Sequence, residues 1–416
     1  MRIRSTGVVV ASVLTLAAAA CGSGTAAPSS SSAPKNNGGT LLIWADDQRA
    51  AALKPFADKF GKDNGVTVTV QAISKDQQTT FVTASQAGKG PDVMVGAHDW
   101  IGNLVQNGAI DPIQLTDAQK SQYADIALKA VTFNGQLYGV PYAIENVALI
   151  RNTDLAPTAP STMEDLVAQG KALKAAGKVS NIMALQVGQT GDAYHIYPLF
   201  TSAGGYLFGT KSNGDYDPTD LGVGKPGSVA AFQKIRALGE KGSGALTRSI
   251  TADNAIPTFT SKKTAFLISG EWALPDIKKA GIHYDITPVP AFAGGKPAQP
   301  FIGVQAFYVA SKGKDKALAN EFVVNYLTQP DLQVALYQAN PRPPALTAAL
   351  DQVKASDPDV QKFLDAGKGG AVLPAIPQMA AIWDPFGKAE AAIIGGAAVP
   401  STVAAAAKTI TDQINK

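Results

Sequence analysis

The sequence holds a single cysteine and three histidines in 416 residues. One cysteine excludes an intramolecular disulfide, and so few soft ligands leave little material for a zinc site or a Cys/His nucleophile. An excess of one charge is also missing. Lys and Arg number 36 against 33 Asp and Glu, a formal +3, so there is no case for nucleic acid or an acidic polymer as partner. The chain has no Gly-x-Ser-x-Gly, no phosphate-binding loop and no paired metal-binding histidines. Gly204-Gly205 is too short for a dinucleotide fingerprint. Asp and Glu pairs exist, as glycoside hydrolysis requires, but nothing in the sequence sets two of them across a scissile bond. His98, His195 and His283 stand alone, and His98 beside Asp99 reads as a loop-orienting side chain. No catalytic residue, cofactor or metal is expected.

The one long apolar run near the start, Val8 to Ala20, spans about 13 residues and is too short to cross a bilayer. Arg2 and Arg4 precede it, and Ala18-Ala19-Ala20 lead into Cys21 and Gly22. Residues 1–20 therefore look like a bacterial lipoprotein signal peptide, with Cys21 becoming the lipidated first residue after cleavage. The usual Leu three residues before the Cys is Ala18 here, with Leu16 two further back. The alternative is an ordinary signal peptide with an incidental Cys. A two-chain lipid contributes about 0.8 kcal/mol per buried CH₂, enough for a stable anchor on the extracytoplasmic face of the membrane. Residues 21–39 are almost all Gly, Ser, Ala, Pro, Thr and Asn, the composition of a flexible tether.

A chain of this length exceeds the size of most single cores, so two domains are expected. After the tether, strand and helix patterns alternate. Thr40–Trp44 reads as a strand, Ala50–Gly65 as a helix with Leu53, Phe56 and Phe60 at helical spacing, and Val66–Val70 as a second strand. Asp76–Ala87 reads as a helix and Asp92–Val95 as a third strand. This spacing predicts an α/β fold with a parallel sheet covered by helices. Further on, Ser161 to Glu164 reads as a capping box, Lys178–Gln186 contains a short strand, and Ser228–Gly239 is an amphipathic helix. Thr264–Ile268, Tyr284–Val289 and Phe307–Ala310 read as strands; helices follow at Asp315–Leu327, Asp357–Ala366 and Ser401–Asn415.

The run Tyr138–Ile150 is apolar and β-rich, with Glu145 in its middle. It is long for one strand, and a buried ionised Glu is costly unless paired or facing a polar ligand. Either it is a strand that leaves one domain and enters another with Glu145 at the crossover, or it is two core strands with Glu145 at a solvated turn. All four tryptophans, Trp44, Trp100, Trp272 and Trp383, lie near strand or helix ends with acids close by in sequence. An indole face packs on the C–H face of a sugar ring and a carboxylate accepts from its hydroxyls, which points to a carbohydrate cleft. The alternative is that the indoles are core.

Gly90–Trp100 (GPDVMVGAHDW), Gly135–Leu155 (GQLYGVPYAIENVALIRNTDL), Gly204-Gly-Tyr206, Ile268-Ser-Gly-Glu-Trp272, Pro300–Val304 and Ile376–Trp383 together resemble, in order, the periplasmic maltose/maltodextrin-binding proteins. These are substrate-binding subunits of ABC importers. The resemblance runs from about Gly39 to the C-terminus. It implies a two-lobe periplasmic-binding-protein fold with hinge crossing segments and a cleft between lobes that close over sugar. The lobes would comprise residues 40–143 with 303–352 and 149–299 with 359–416, and the hinge 144–148, 300–302 and 353–358. It implies Asp99 and Glu145 as hydroxyl-binding carboxylates, Asp192 and Tyr194 as an acid and a stacking ring from the second lobe, and Trp272 and Trp383 as stacking platforms. Near Trp44 the family has an acid–base pair on the sugar; Asp47 and Arg49 are the candidates, with the spacing off by about one residue. Departures bear on specificity. Gly96 stands where the family has Trp, and Trp100 where it has Arg, so Trp100 is the candidate replacement for the lost ring. His195 stands in place of Phe, and Asp384 and Gly387 in place of an aromatic and an Arg. The implied ligand is an oligosaccharide, namely maltose, a maltodextrin or another α-glucoside; trehalose, a β-linked sugar and, in the same fold, a glycerol phosphate are the alternatives. Arg49 with little other base in the cleft favours a neutral ligand. The implied partners are ABC permease subunits and, through the lipid, the membrane, with the protein itself a monomer.

Overall fold

The computed structural model describes residues 38–416; the expected signal peptide, Cys21 and the tether to residue 37 lie outside the described residues. Eight strands carry the architecture: β1 (Thr40–Ala45), β2 (Thr67–Ala72), β3 (Val93–Ala97), β4 (Val140–Glu145), β5 (Ala148–Asn152), β6 (Phe266–Ser269), β7 (Tyr284–Thr287) and β8 (Phe301–Val309). β1 pairs in parallel with β2 and β3. The helix between β1 and β2, Asp47–Asn64, is capped by Asp46, whose side chain accepts from the Arg49 N–H, and ends at Gly65 in the left-handed region, φ 67°. It buries Leu53, Ala57 and Phe60 against the sheet.

The parallel expectation holds for these three strands and for a short pairing of β8 with Ala371–Val372. β8 runs antiparallel between β3 and β4, because it enters the sheet from the other half of the molecule rather than by a local crossover. β5 forms a second sheet, lying antiparallel between β6 and β7. Lys178–Gln186 is not a strand; it contributes one isolated bridge, Ala184 to Leu267. The helix after Ser161 is capped one residue later than the box suggests, by Thr162 accepting from the Asp165 N–H. Asp315–Leu327 opens as an α-helix over Lys316–Asn320 and continues as a π-helix over Glu321–Tyr326.

The fold has two lobes. One core gathers residues of β1, β3, β4 and β8 with Ile101, Leu318 and Leu346. The other gathers residues from Val147 to Phe301 with Leu373, Phe386 and Val403, and a smaller cluster under β5, β6 and β7 includes Phe363. The chain changes core between Ile144 and Val147 and between Phe301 and Ile302. A third change falls between the helices Thr347–Ser356 and Pro358–Ala366, which place Ala349 in the first core and Phe363 in the cluster beneath β5. Pro358 cannot continue a helix inward, and Asp357 caps the second one. Asp357 also accepts from Tyr337 Oη at 2.9 Å and pairs with Lys278 at 3.0 Å, so a side chain from each half converges on that junction.

Trp44 belongs to the first core. It is 6% exposed and its indole N–H donates to Gln71 at 3.0 Å. Trp44→Ala should cost about 3–5 kcal/mol, read as a drop in the denaturation midpoint; a change below about 1 kcal/mol would remove the ring from the core.

Candidate functional site

The carboxyl ends of parallel strands face the crevice of an α/β sheet. Here β1 ends beside Asp46, β3 runs into the 3₁₀ turn His98–Trp100, and β4 ends on Glu145. His98 fixes that turn. It is fully buried, its Nδ1 accepts from Val304 N–H at 3.0 Å, and its Nε2 donates to Leu373 O at 2.8 Å. Burial pushes its pKa down to about 4, so the ring is neutral and positions the turn.

Glu145 sits three residues ahead of β5, on the crossing between the cores, and is 9% exposed. Gln305 Nε2 donates to it at 2.9 Å, and Arg342 Nε pairs with its other oxygen. Burial alone would raise its pKa, but the charges of Arg342 and Arg49 more than offset this and hold the carboxyl below the usual range. Opposite it in β8 is Gly303, where a β-carbon would fall 2.8 Å from Glu145 Cγ.

From the second lobe come the N-terminus of the helix Ala193–Ser202, the 3₁₀ turn Glu271–Ala273 and the first residue of the helix Trp383–Ile394. Tyr194 packs with Trp272 at 6.3 Å between centroids and with Phe301 at 6.0 Å, and Trp383 meets Phe301 edge-on at 6.3 Å. Trp272, Tyr194, Phe301 and Trp383 thus form a continuous aromatic wall. His195 meets Trp272 at 5.8 Å, and the Arg342 guanidinium lies 5.3 Å from the Trp272 ring centre. Trp100, Trp272 and Trp383 are half-buried, unlike Trp44. Two glycines make room for rings: a β-carbon on Gly96 would collide with Trp100, and one on Gly270 with Trp272. The Trp100 ring therefore covers the position where the resembled family carries its own Trp.

Asp99, Glu145, Tyr194, Trp272 and Trp383 are brought to one locality. Asp99 lies near the Trp383 side chain and within the field of Glu145. Tyr194 in turn feels the charges of Glu145, Glu271 and Arg342. Asp192 is spent locally. As N-cap it accepts from the Tyr194 N–H at 3.1 Å and the His195 N–H at 2.9 Å, meets His195 Nδ1 at 3.0 Å, and takes a bond from Gln186. Burial opposes its ionisation, but His195 and these donors outweigh it and bring its pKa down to about 2. Asp47 is exposed on the first turn of its helix; the acid that pairs with Arg49 is Asp46.

Sequence reasoning passed over Arg342 and Gln305, and took Asp46 and Glu271 only as acids close in sequence to Trp44 and Trp272. Arg342 corrects the expectation that Arg49 is nearly alone as a cleft base. A signal for it was present, since an Arg flanked by Pro341, Pro343 and Pro344 is held on a stiff backbone. Glu271 is 2% exposed, accepts from the Asn146 N–H at 3.3 Å, and has its pKa raised well above the usual range by burial and by Glu145. Tyr194 Oη, His195 Nε2, Glu271 Oε2, Gln305 Oε1 and Arg49 Nε are buried without a hydrogen-bond partner among the described residues. Unmatched buried polar atoms are rare in folded proteins, and five of the nine among the described residues are these. A separate groove of about 900 Å³ runs between Thr132–Gly135 and the Thr210–Pro218 region and is lined by none of these side chains.

Burial pushes the Asp99 carboxyl up to about 7, with Glu145 adding to the rise and Trp383 opposing it. The folded protein therefore keeps a proton on Asp99 between about pH 4 and 7 where the unfolded chain has lost it. Stability from this group is full below about pH 4 and falls as pH climbs to about 7, by at most about 1.4 kcal/mol per pH unit. The Asn variant lacks this loss. The melting temperature of Asp99→Asn minus that of the parent should rise from pH 4 to pH 7 and then level. A difference independent of pH would show that the carboxyl is solvated.

Residues 56–362 match the family described as bacterial extracellular solute-binding protein. The chain is 28% identical to the galactooligosaccharide-binding protein of Bacillus subtilis (strain 168) over 386 residues, 89% of each chain. It is 29% identical to the maltooligosaccharide ABC transporter solute-binding lipoprotein of Streptococcus pneumoniae (strain ATCC BAA-255 / R6), over 82% of this chain and 81% of the relative. It is also 29% identical to the maltodextrin-binding protein MdxE of Bacillus subtilis (strain 168), over 78% of each. These relatives are binding proteins rather than enzymes, and no helix among the described residues is long and apolar enough to cross a membrane. Because the match runs over residues 56–362, well over half of the 416-residue chain, the protein belongs to the bacterial extracellular solute-binding protein family.

Proposed function

We propose that this protein is the lipid-anchored solute-binding subunit of a sugar ABC importer, holding maltose, a maltodextrin or a related neutral α-glucoside between its lobes and presenting it to the permease. The observation that carries the reading is the pairing of an aromatic wall with a charge-matched floor. Trp272, Tyr194 and Trp383 offer ring faces for a sugar. Arg342 is matched by Glu145 and Arg49 by Asp46. No net cation is left for a phosphate or carboxylate ligand, which would need one, so the site suits an uncharged guest rich in hydroxyls. The names of the relatives in maltooligosaccharide and maltodextrin binding support the α-linked class. The chain crossings at 144–148, 300–302 and 353–358 would serve as the hinge, and the monomer closes on its ligand.

A second reading has its own support. The galactooligosaccharide-binding relative matches over 89% of the chain, and the replacement of Arg by Trp100 alters the wall beside Asp99. Titration calorimetry with maltose, maltotriose, trehalose and a galactooligosaccharide separates the two. Heat with the α-glucosides and none with the galactooligosaccharide is the expected result, the reverse favours the second reading, and no heat with any sugar removes both. Chromatography of the bound sugar should show it intact; shortened products would make the protein a hydrolase.

Trp272→Ala and Trp383→Ala should each weaken sugar binding roughly 10- to 100-fold, about 1.4–2.8 kcal/mol, with little change in melting temperature. A large loss of stability at unchanged affinity would place that ring in the core instead. In cells, Cys21→Ser should move the protein from the membrane to the soluble fraction; retention on membranes would exclude the lipid anchor.

A further inference from the structure

Arg342 belongs to a segment with no freedom to drift. Pro341, Pro343 and Pro344 surround it, Ile144 N–H donates to Pro343 O at 2.8 Å, and Pro344 bridges to Ala143. A proline fixes its own φ and holds the residue before it extended, so the backbone of Arg342 is clamped along the end of β4. The side chain crosses to Glu145 through Nε and to Asn340 through Nη1. Its guanidinium faces Trp272, a residue of the other lobe, at 5.3 Å. Nη2 enters no hydrogen bond among the described residues and remains open to solvent, while the side chain as a whole is 12% exposed.

Stability gives a poor account of this arrangement. A buried ion pair roughly breaks even against apolar packing, and a lysine would supply the charge. What a lysine lacks is the rigid fork, with donors left over after the carboxylate is engaged. Beside those spare donors stands Glu145, whose oxygens retain lone pairs after Gln305 and Arg342 are counted. An acceptor and a donor therefore lie side by side on the floor, flanked by an indole face.

We propose that Arg342 is a specificity-determining ligand contact, and that with Glu145 it reads two adjacent hydroxyls of one sugar ring. The carboxylate accepts from the first hydroxyl and the free guanidinium N–H groups donate to the second. A ring that lacks either hydroxyl, or turns one to the other face, leaves a buried polar group unmatched, which is the strongest form of discrimination a binding site has. This inference rests on the reading of the ligand as a neutral sugar.

The test is calorimetry with maltotriose and the galactooligosaccharide on the parent protein, Arg342→Met, Arg342→Lys and the charge-free pair Glu145→Gln/Arg342→Met, with melting temperatures alongside. Arg342→Met should lose 30-fold or more in affinity and Arg342→Lys should recover only part of it. With singly deoxygenated versions of the sugar that binds, one deoxy position should cost the parent heavily and cost Arg342→Met almost nothing, while other positions cost both alike. A merely structural arginine would lower the melting temperature and leave that pattern unmoved. Should Arg342→Met fail to fold because Glu145 is left unpaired, the double variant and Arg342→Lys carry the same comparison. Affinity within twofold of the parent, tighter binding, or deoxy losses equal in parent and variant would each overturn the assignment while leaving the sugar reading intact. Absence of heat from the parent with every sugar would remove the sugar reading and this inference together.

Discussion

The site depends on the match between Glu145 and Arg342. A carboxylate at the end of β4 is buried on the first of the three stretches where the chain changes core. Unpaired, it would cost several kcal/mol or give up its charge. Its partner comes from 197 residues further along the chain, so the pair can form only when β8 and the proline segment are in place on the same sheet. Much of the first lobe's topology can be seen as what delivers that arginine: β8 enters antiparallel, the helices Pro330–Ala339 and Thr347–Ser356 follow, and Pro344 docks on Ala143 between them. On the reading proposed above, the matched pair also bears on the ligand, because a floor without net charge gives an anion no unpaired cation to bind.

Around that floor the acids divide according to what surrounds them. Asp192 is drawn below the usual range because four donors converge on it, and Glu145 because two guanidinium groups lie near it. Asp99 and Glu271 are raised because burial and the charge of Glu145 push them up, and the nearby Arg342 offsets only part of this for Glu271. The cleft therefore sets carboxylate acceptors beside the donors of Arg342, Gln305 and Tyr194. A polyhydroxylated ring, which offers both functions at every hydroxyl, suits such a surface better than a ligand of a single hydrogen-bonding sense.

The sequence was readable where the physics is local. Alternation in Thr67–Ala72 and the apolar run of β1 identify strands because one face, or both, must be buried. Capping explains the helix starts to within a residue, and a one-residue difference there is what separates Asp46 from Asp47: the acid at the cap, whose geometry turns it back onto Arg49, is the earlier one. β8 was legible only at its end, since Gly303 and Gln305 break the apolar pattern; both stand beside Glu145, and the pattern is broken where the site begins. The helix Ala193–Ser202 carries Pro198 and an aromatic-rich face that obscures its period. Arg342 carried one local sign, the prolines around it, but these speak only of a stiff backbone, and its pairing lies across 197 positions of chain where no rule of spacing reaches.

The manner in which the two halves meet bears on how they could part. An interface built as a continuous apolar core would be costly to open, because each buried side chain would have to be rehydrated. Here three of the four rings of the aromatic wall are half-buried, and the contacts that cross between the halves include polar ones: a guanidinium over Trp272, an indole beside Asp99, a backbone N–H on Glu271 and the His98 ring on Leu373 O. Groups of this kind exchange protein partners for water at small net cost. Several of them, Tyr194 Oη and Glu271 Oε2 among them, have no protein partner to lose. Domain contacts of that make-up resemble transient interfaces rather than obligate ones. A guest that supplies the missing partners shifts the balance toward closure by its own differential affinity for the closed arrangement, and by no more than that.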